Sequence, residues 1–178
     1  MTRDMQFFDV VRRRRSVRRF TSRRVTKVQV RQILEAANRA PSAGNLQAYQ
    51  VYVVSDPVVR RRLDAASGSQ GPVAQATVVL VFCAAPRRSA VRYGAKGEQL
   101  FCIQDATVAC AYAQLAATAL GLASVWIGAV QEPEVVREAL HLDGDLWPAA
   151  FLPIGYAAES PARTPRRALR ELVRELSR

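Results

Sequence analysis

The distribution of apolar and polar positions divides the chain into short segments with either a strand-like or a helical period. Two almost uniformly apolar runs, TVVLVFCA at 77–84 and AAFLPIGYA at 149–157, predict buried strands. QVYVVS at 50–55 and ASVWIGA at 123–129 predict two further strands. Because helical segments separate these runs, the pattern favours an α+β or α/β domain whose helices cover a central sheet.

The helical segments begin at recognisable capping signals. Thr26 followed by Gln29 has the pattern of a capping box, and VQVRQILEAANRA continues from it as an amphipathic helix. A second helix, at 56–66, opens with Asp56 and Pro57, which are favoured at a helix start. Further helices are predicted at 5–14, at 133–140 and, with a basic amphipathic pattern, at 166–177.

The longest apolar segment, 100–120, is long enough to cross a bilayer as a helix. Gln104 and Asp105 near one end, Gln114 near the other, and many small alanines favour a central buried helix instead. Gly121 follows at the position where a glycine commonly ends a helix. The sequence therefore predicts no membrane span and no membrane partner.

Length and charge refine this picture. The chain has 178 residues, without a repeat or a low-complexity linker, and we predict one domain over 1–178. The formal net charge of +11 is unevenly distributed. Residues 1–31 hold eleven basic residues against two acidic ones, and residues 160–178 hold six against two, whereas the remainder is slightly acidic. The two ends of the chain are therefore its basic parts.

The sequence lacks the residues that several classes of catalytic or binding site require. The three cysteines form no CxxC pair, which suggests small core residues in a reducing, cytoplasmic setting. His141, the single histidine, lies at a predicted helix end, so neither a metal site nor a catalytic triad is indicated. None of the nine glycines forms GxG, which excludes the usual dinucleotide and P-loop fingerprints. An enzyme with so few acid–base groups would rely on a cofactor for the hard step.

The run RRRRSVRRF at 12–20 places six arginines in nine residues. Three interpretations of it are open: a solvated helix face, a nucleic-acid-binding arm, or a clamp for one phosphate in which Ser16 adds a hydroxyl. A nucleic-acid arm would be expected to interleave aromatic residues or glycines, but only Phe20 follows the run.

The polar loop within APSAGNLQAYQVYVV (40–54) lies between a capped helix and an apolar strand. Pro41, Ser42, Gly44 and Asn45 fit ordinary turn chemistry. The amide and hydroxyl groups of Ser42, Asn45 and Gln47 can also both donate and accept hydrogen bonds, as the edge of a heteroaromatic ring requires.

Taken together, several segments resemble the nitroreductase family of flavin enzymes over about residues 6–175. They are RRRRSVRRF, APSAGNLQAYQVYVVSD, GEQLFCIQDATVACAYAQLAA, ALGLASVWIGA and LPIGYAAESPARTPRRALREL. Their order and spacing match the family. Ala48 and Tyr49 depart from it, since proline and tryptophan often occupy these positions, and 85–99 holds little sequence for a substrate lid.

The resemblance implies an α+β nitroreductase-like fold: a central, mostly antiparallel sheet flanked by helices, a long buried central helix, and a homodimer with active sites at its interface. It implies FMN as cofactor, with the flavin rather than a side chain carrying the chemistry. The cofactor-binding residues that it implies fall into four groups. These are Arg14, Arg15, Ser16 and Arg18 at the phosphate and ribityl chain; Pro41, Ser42, Asn45 and Gln47 from the other subunit at the flavin; Ile127, Gly128 and Ala129 near N5; and Arg166 and Arg167 closing on the phosphate.

The activity implied is ping-pong reduction of a nitroaromatic, a quinone or a similar small acceptor, with NADH or NADPH as donor. A deazaflavin or another flavin in place of FMN stays open. Two other function classes also stay open: a flavin-binding protein without turnover, for storage or sensing, and a basic nucleic-acid-binding module. Because no nucleic-acid reading motif is visible, the sequence favours the oxidoreductase, with no nucleic-acid partner.

Overall fold

A computed structural model describes residues 6–68 and 71–176. The helices are α1 (Phe7–Arg13), α2 (Lys27–Ala37), α3 (Pro57–Ser67), α4 (Pro72–Gln75), α5 (Pro86–Lys96), α6 (Cys102–Ala119), α7 (Pro133–Leu140) and α8 (Leu169–Leu172). The strands are β1 (Tyr49–Val54), β2 (Val78–Ala84), β3 (Ala123–Ser124) and β4 (Trp147–Gly155). A short 3-10 turn spans Ala43–Asn45, and one π-helical turn, Gly97–Phe101, leads into α6.

The four strands form one antiparallel sheet in the order β1-β2-β4-β3. Val51 lies opposite Phe82, and Leu80 lies opposite Leu152. All seven residues of β2 are buried, because helices cover both faces of the sheet. The expectation of an α+β fold with a mostly antiparallel sheet is confirmed.

Successive side chains of the inner strands β2 and β4 point to opposite faces of the sheet and pack into two separate hydrophobic cores. Leu80 and Leu152 pack with α2 and α6 on one face. Val79 and Phe151 pack with α3 and α7 on the other. The predicted capping box of Thr26 and Gln29 is present, and the Asp56 side chain accepts hydrogen bonds from the amides that open α3. The three cysteines are free and buried.

Helix α6 is the predicted central helix. Its buried residues recur every three or four positions and include Asp105, Ala109 and Ala113. The helical stretch 86–119 has the length and hydropathy of a possible membrane span, but 44% of its most apolar window is buried inside the fold. Gly94 also breaks the stretch, with φ 54° and ψ −143°, so that α5 folds back against the π-helical turn. A central core helix has these same properties.

Two predictions about elements need correction. The predicted helix 166–177 is wrong: only Leu169–Leu172 is helical, neighbouring residues are extended and exposed, and residue 177 lies outside the described chain. A short helix without packing partners is marginal in water, which explains this outcome. The predicted strand 123–129 is restricted to Ala123–Ser124, with one further bridge at Ile127. The stretch 85–99, which offers little sequence for a substrate lid, contains helix α5.

Candidate functional site

The arginine-rich run lies along the edge of the sheet, directly after α1. Ser16 forms a parallel bridge with Ser124 of β3, and the amide of Val17 donates to the carbonyl of Ser124 at 3.1 Å. Val17 and Phe20 are buried, and Phe20 packs so closely on Gly155 that a Cβ there would lie 2.9 Å from its ring. These two apolar anchors leave the arginine side chains to face outward.

The outward-facing residues line a cavity of about 600 Å³ between this run and the C-terminal segment. Arg14, Arg15, Ser16 and Arg18 form one side of the cavity. The stretch 161–166 forms the other side, and Arg166 belongs to its lining. The two basic ends of the sequence therefore meet around one cavity, as the phosphate-clamp interpretation predicts.

The electrostatics of this cavity favour an anion. The pKa of the Arg14 guanidinium lies below its ordinary value, first because burial disfavours the charged form and then because Arg166 and Arg15 are positive neighbours. Within the described chain, no ion pair involves Arg14, Arg15, Arg18 or Arg166. The nearby carboxylate of Glu159 instead accepts from the backbone amides of Arg18 and Arg19, at 2.6 and 3.2 Å. A bound anion would relieve this concentration of positive charge.

The loop 41–48 lies between α2 and β1 and has an unusual backbone. Gly44, Asn45 and Gln47 have φ values of 56°, 57° and 49°, in the left-handed region. The Ser42 hydroxyl accepts from the amide of Gln47 at 3.0 Å, and the Gln47 side-chain amide donates to the Asn45 side-chain oxygen at 3.2 Å. Pro41 and Asn45 are exposed, so the turn presents its polar groups to the outside.

Gln47 lines a second cavity, of about 570 Å³, together with Tyr49, Arg87 and Arg88. Burial raises the pKa of the Tyr49 phenol, and the charge of Asp105 raises it further. The Tyr49 hydroxyl donates to the carbonyl of Ala37 at 3.3 Å, which ties the start of β1 to the end of α2.

The third predicted segment follows β3. The backbone of Ile127 exchanges two hydrogen bonds with Phe151 of β4, at 3.0 and 2.9 Å. This pairing holds the backbone of Ile127 against β4. The next two residues, Gly128 and Ala129, are exposed. Gly128 borders a small cavity of about 200 Å³ with Ile103 and Trp147.

The fold thus brings together only part of the predicted site. Arg14, Arg15, Ser16, Arg18 and Arg166 share one cavity. The neighbouring Arg167 does not line it and instead pairs with Glu171 at 3.3 Å. The loop containing Gln47 and the segment containing Gly128 border other cavities of the described chain.

Sequence reasoning missed the role of Asp105. This side chain is 3% exposed and accepts from the backbone amides of Ala43, at 2.8 Å, and Ala48, at 3.2 Å. It also missed helix α5, whose Arg88 Nε donates to the carbonyl of Leu46 at 2.5 Å. The available signal was a single carboxylate inside an otherwise apolar helical segment, since such a group needs partners when it is buried.

Comparisons with known proteins identify relatives of similar sequence and fold. The protein-family sequence model described as "Nitroreductase family" matches residues 11–156 of this chain. "NADH dehydrogenase" of Thermus thermophilus is 34% identical, covering 90% of this chain and 91% of the relative. "FMN reductase [NAD(P)H]" of Bacillus subtilis is 35% identical over 85% of this chain, which spans 66% of that relative's length. The solved structure of "NADPH:FMN oxidoreductase from Vibrio harveyi complexed with NAD+" superposes with a TM-score of 0.86 at 27% identity, covering 95% of this chain and 76% of that one.

Proposed function

The chain belongs to the nitroreductase family, and from this premise we propose that it is an FMN-dependent NAD(P)H oxidoreductase acting as a homodimer. One observation carries the proposal: the two basic ends of the chain converge on a single cavity, where Arg12 pairs with Asp9 but Arg14, Arg15, Arg18 and Arg166 have no ion pair within the described residues. A diffuse basic surface, as nucleic-acid binding would need, does not require such convergence.

The donors of this cavity fit the terminal phosphate of FMN. Arg14 and Arg166 would supply charge-assisted hydrogen bonds from opposite walls, with Arg15 and Arg18 adding positive charge. Ser16 would add a hydroxyl to the phosphate or the ribityl chain. We extend the same role to Arg167, which would have to exchange its pairing with Glu171 for the phosphate.

FMN, when bound, supplies the redox chemistry by which a nicotinamide donor reduces an acceptor. The chain's own residues orient the ring and set its surroundings. Asn45 and Gln47 offer amide groups that can both donate and accept at a heteroaromatic edge, and Pro41 and Ser42 shape the turn that presents them. Ile127, Gly128 and Ala129 would border the ring with backbone that β4 holds in place.

The separation of these groups within one chain supports the proposed homodimer. Within one chain, no residue of the loop at 41–48 lines the arginine cavity, and Gln47 of this loop lines a different cavity. A partner that contributes its loop to this chain's cavity would complete the site. Exposed apolar side chains support such an interface, namely Phe7 and Phe8 of α1 and Tyr112 of α6, which are 64%, 71% and 40% exposed.

The acceptor that we propose is a quinone, a nitroaromatic or a similar small molecule, with NADH or NADPH as donor. Steady-state kinetics on FMN-loaded protein test the proposal. Parallel double-reciprocal lines, obtained when donor and acceptor are varied together, are the expected ping-pong result. Flavin released by heat should co-elute with FMN in chromatography. A dominant FAD peak, or absence of donor oxidation with every quinone and nitroaromatic offered, would contradict the proposal.

A further inference from the structure

The loop at 42–48 holds a backbone shape that its surroundings must impose. Of the described residues other than glycine, Asn45, Gln47 and His141 have positive φ values, and two of these three lie in this loop beside Gly44. Side chains with a Cβ seldom adopt this conformation, and it persists where neighbouring groups determine it. Groups on both sides of the loop contact its backbone.

Asp105 holds both ends of the loop from the inside. Its Oδ1 accepts from the amide of Ala43 at 2.8 Å, and its Oδ2 accepts from the amide of Ala48 at 3.2 Å. The carboxylate is 3% exposed, and no ion pair of the described chain includes it. A buried carboxylate without a cation is costly to desolvate, so helix stability alone does not explain its presence.

Helix α5 contacts the loop from the outside. Arg88 Nε donates to the carbonyl of Leu46 at 2.5 Å, and Arg92 Nη1 donates to the carbonyl of Gly44 at 3.4 Å. A Cβ on Gly44 would lie 2.6 Å from the Tyr93 hydroxyl, so α5 is packed tightly over the turn. Asp105 therefore binds amides of the loop from the inside, and Arg88 and Arg92 bind its carbonyls from the outside.

We propose that Asp105 is the positioning residue that preorganises this loop for the flavin. The proposal rests on the proposed FMN-binding function of this chain. By engaging the amides of Ala43 and Ala48 inside the fold, the carboxylate leaves the intervening turn, with Asn45, facing outward. The flavin then meets a surface that is already shaped, and binding does not have to order it.

Asp105→Asn tests this role with little change in volume. Asparagine keeps one acceptor oxygen but places an NH₂ group against a backbone N–H, so one end of the loop loses its hydrogen bond. Hydrogen bonds to charged groups contribute enough that flavin affinity should fall about tenfold.

Comparison of FMN with riboflavin, which lacks the phosphate, separates the loop from the arginine cavity. Asp105→Asn should weaken FMN and riboflavin by the same factor, so the ratio of the two dissociation constants should stay at its wild-type value. Arg14→Ala should weaken FMN and leave riboflavin nearly unchanged, which alters the ratio. Gln114→Leu is the matched control, because Gln114 is also a buried polar residue of α6 and forms no hydrogen bond with the loop.

Hydrogen exchange in the flavin-free protein provides a direct measurement of the loop. The amides of Ala43 and Ala48 should be protected in the wild type and exchange at least tenfold faster in Asp105→Asn, while the amides of β2 keep their protection. Wild-type protein that binds neither flavin would refute the proposed function itself. Normal flavin binding by Asp105→Asn would overturn only the positioning role. If that variant does not fold, rapid exchange of Ala43 and Ala48 in the wild type overturns it equally.

Discussion

Individual arginines in the basic ends should contribute very unequally to cofactor binding. The half-buried Arg14 and the exposed Arg166 line the same cavity, whereas Arg61, an exposed residue of α3, does not line it. Loss of one charge-assisted phosphate contact should cost roughly 1.5–3 kcal/mol, or about tenfold to a hundredfold in the FMN dissociation constant. An exposed charge contributes about 0–1 kcal/mol at most, and salt screens it.

Arg14→Ala and Arg166→Ala should therefore release FMN on gel filtration, while Arg61→Ala retains it. Lysine at position 14 or 166 should recover only part of the affinity, because an ammonium cannot bind a phosphate in two places at once. Fluorescence quenching at two salt concentrations measures the constants. Equal weakening by all three alanine variants, abolished by salt, would mean that the basic ends act as a diffuse field.

At the scale of single residues, the sequence predicted the candidate site best where clustered positive charge marks it. The arginine run and the C-terminal basic residues were identified from composition and motif, and the fold joins them through Arg166. The lone carboxylate of Asp105 in an apolar segment signals a need for partners, but their identity could not be predicted, because they are backbone amides at positions 43 and 48. Contacts between a side chain and a distant backbone leave no pattern in the sequence.

Among the elements, the contact of α5 with the turn before α6 depends on Gly97. This residue is buried, and a Cβ there would lie 2.6 Å from the carbonyl oxygen of Ser89. Since the obstacle is backbone, Gly97→Ala should push α5 away and destabilise the fold by about 1–3 kcal/mol. Thermal unfolding should show a fall of about 2–4 °C in Tm for each kcal/mol. Ala95→Ser, at an exposed position of α5, is the control and should leave Tm unchanged.

The elements also show where local signals suffice. The N-terminal ends of α2 and α3 were predictable because Thr26 and Asp56 cap them through hydrogen bonds within a few residues. The predicted helix at 166–177 failed because its pattern needs a surface to pack against, and Leu169, Leu172 and Leu176 remain exposed in a single chain. An amphipathic pattern predicts a helix only where a partner surface exists.

For the whole molecule, the exposed apolar surface and the divided site both predict a homodimer. Light scattering should give twice the chain mass of 19.6 kDa. Tyr112→Arg would place a charge on the exposed face of α6 and should shift the protein toward the monomer with loss of flavin. A wild-type protein that scatters as a monomer while retaining stoichiometric FMN would contradict the shared site.

The most direct measurement of the proposed activity is anaerobic reduction of the purified, FMN-loaded protein. With no acceptor present, NADH or NADPH should bleach the visible flavin absorbance, and addition of a quinone should restore it. This result follows if the cavity of Arg14 and Arg166 holds the flavin where both substrates can reach it in turn. A protein that stays yellow with both donors, yet is bleached by dithionite, would bind flavin without turnover and would contradict the proposed activity.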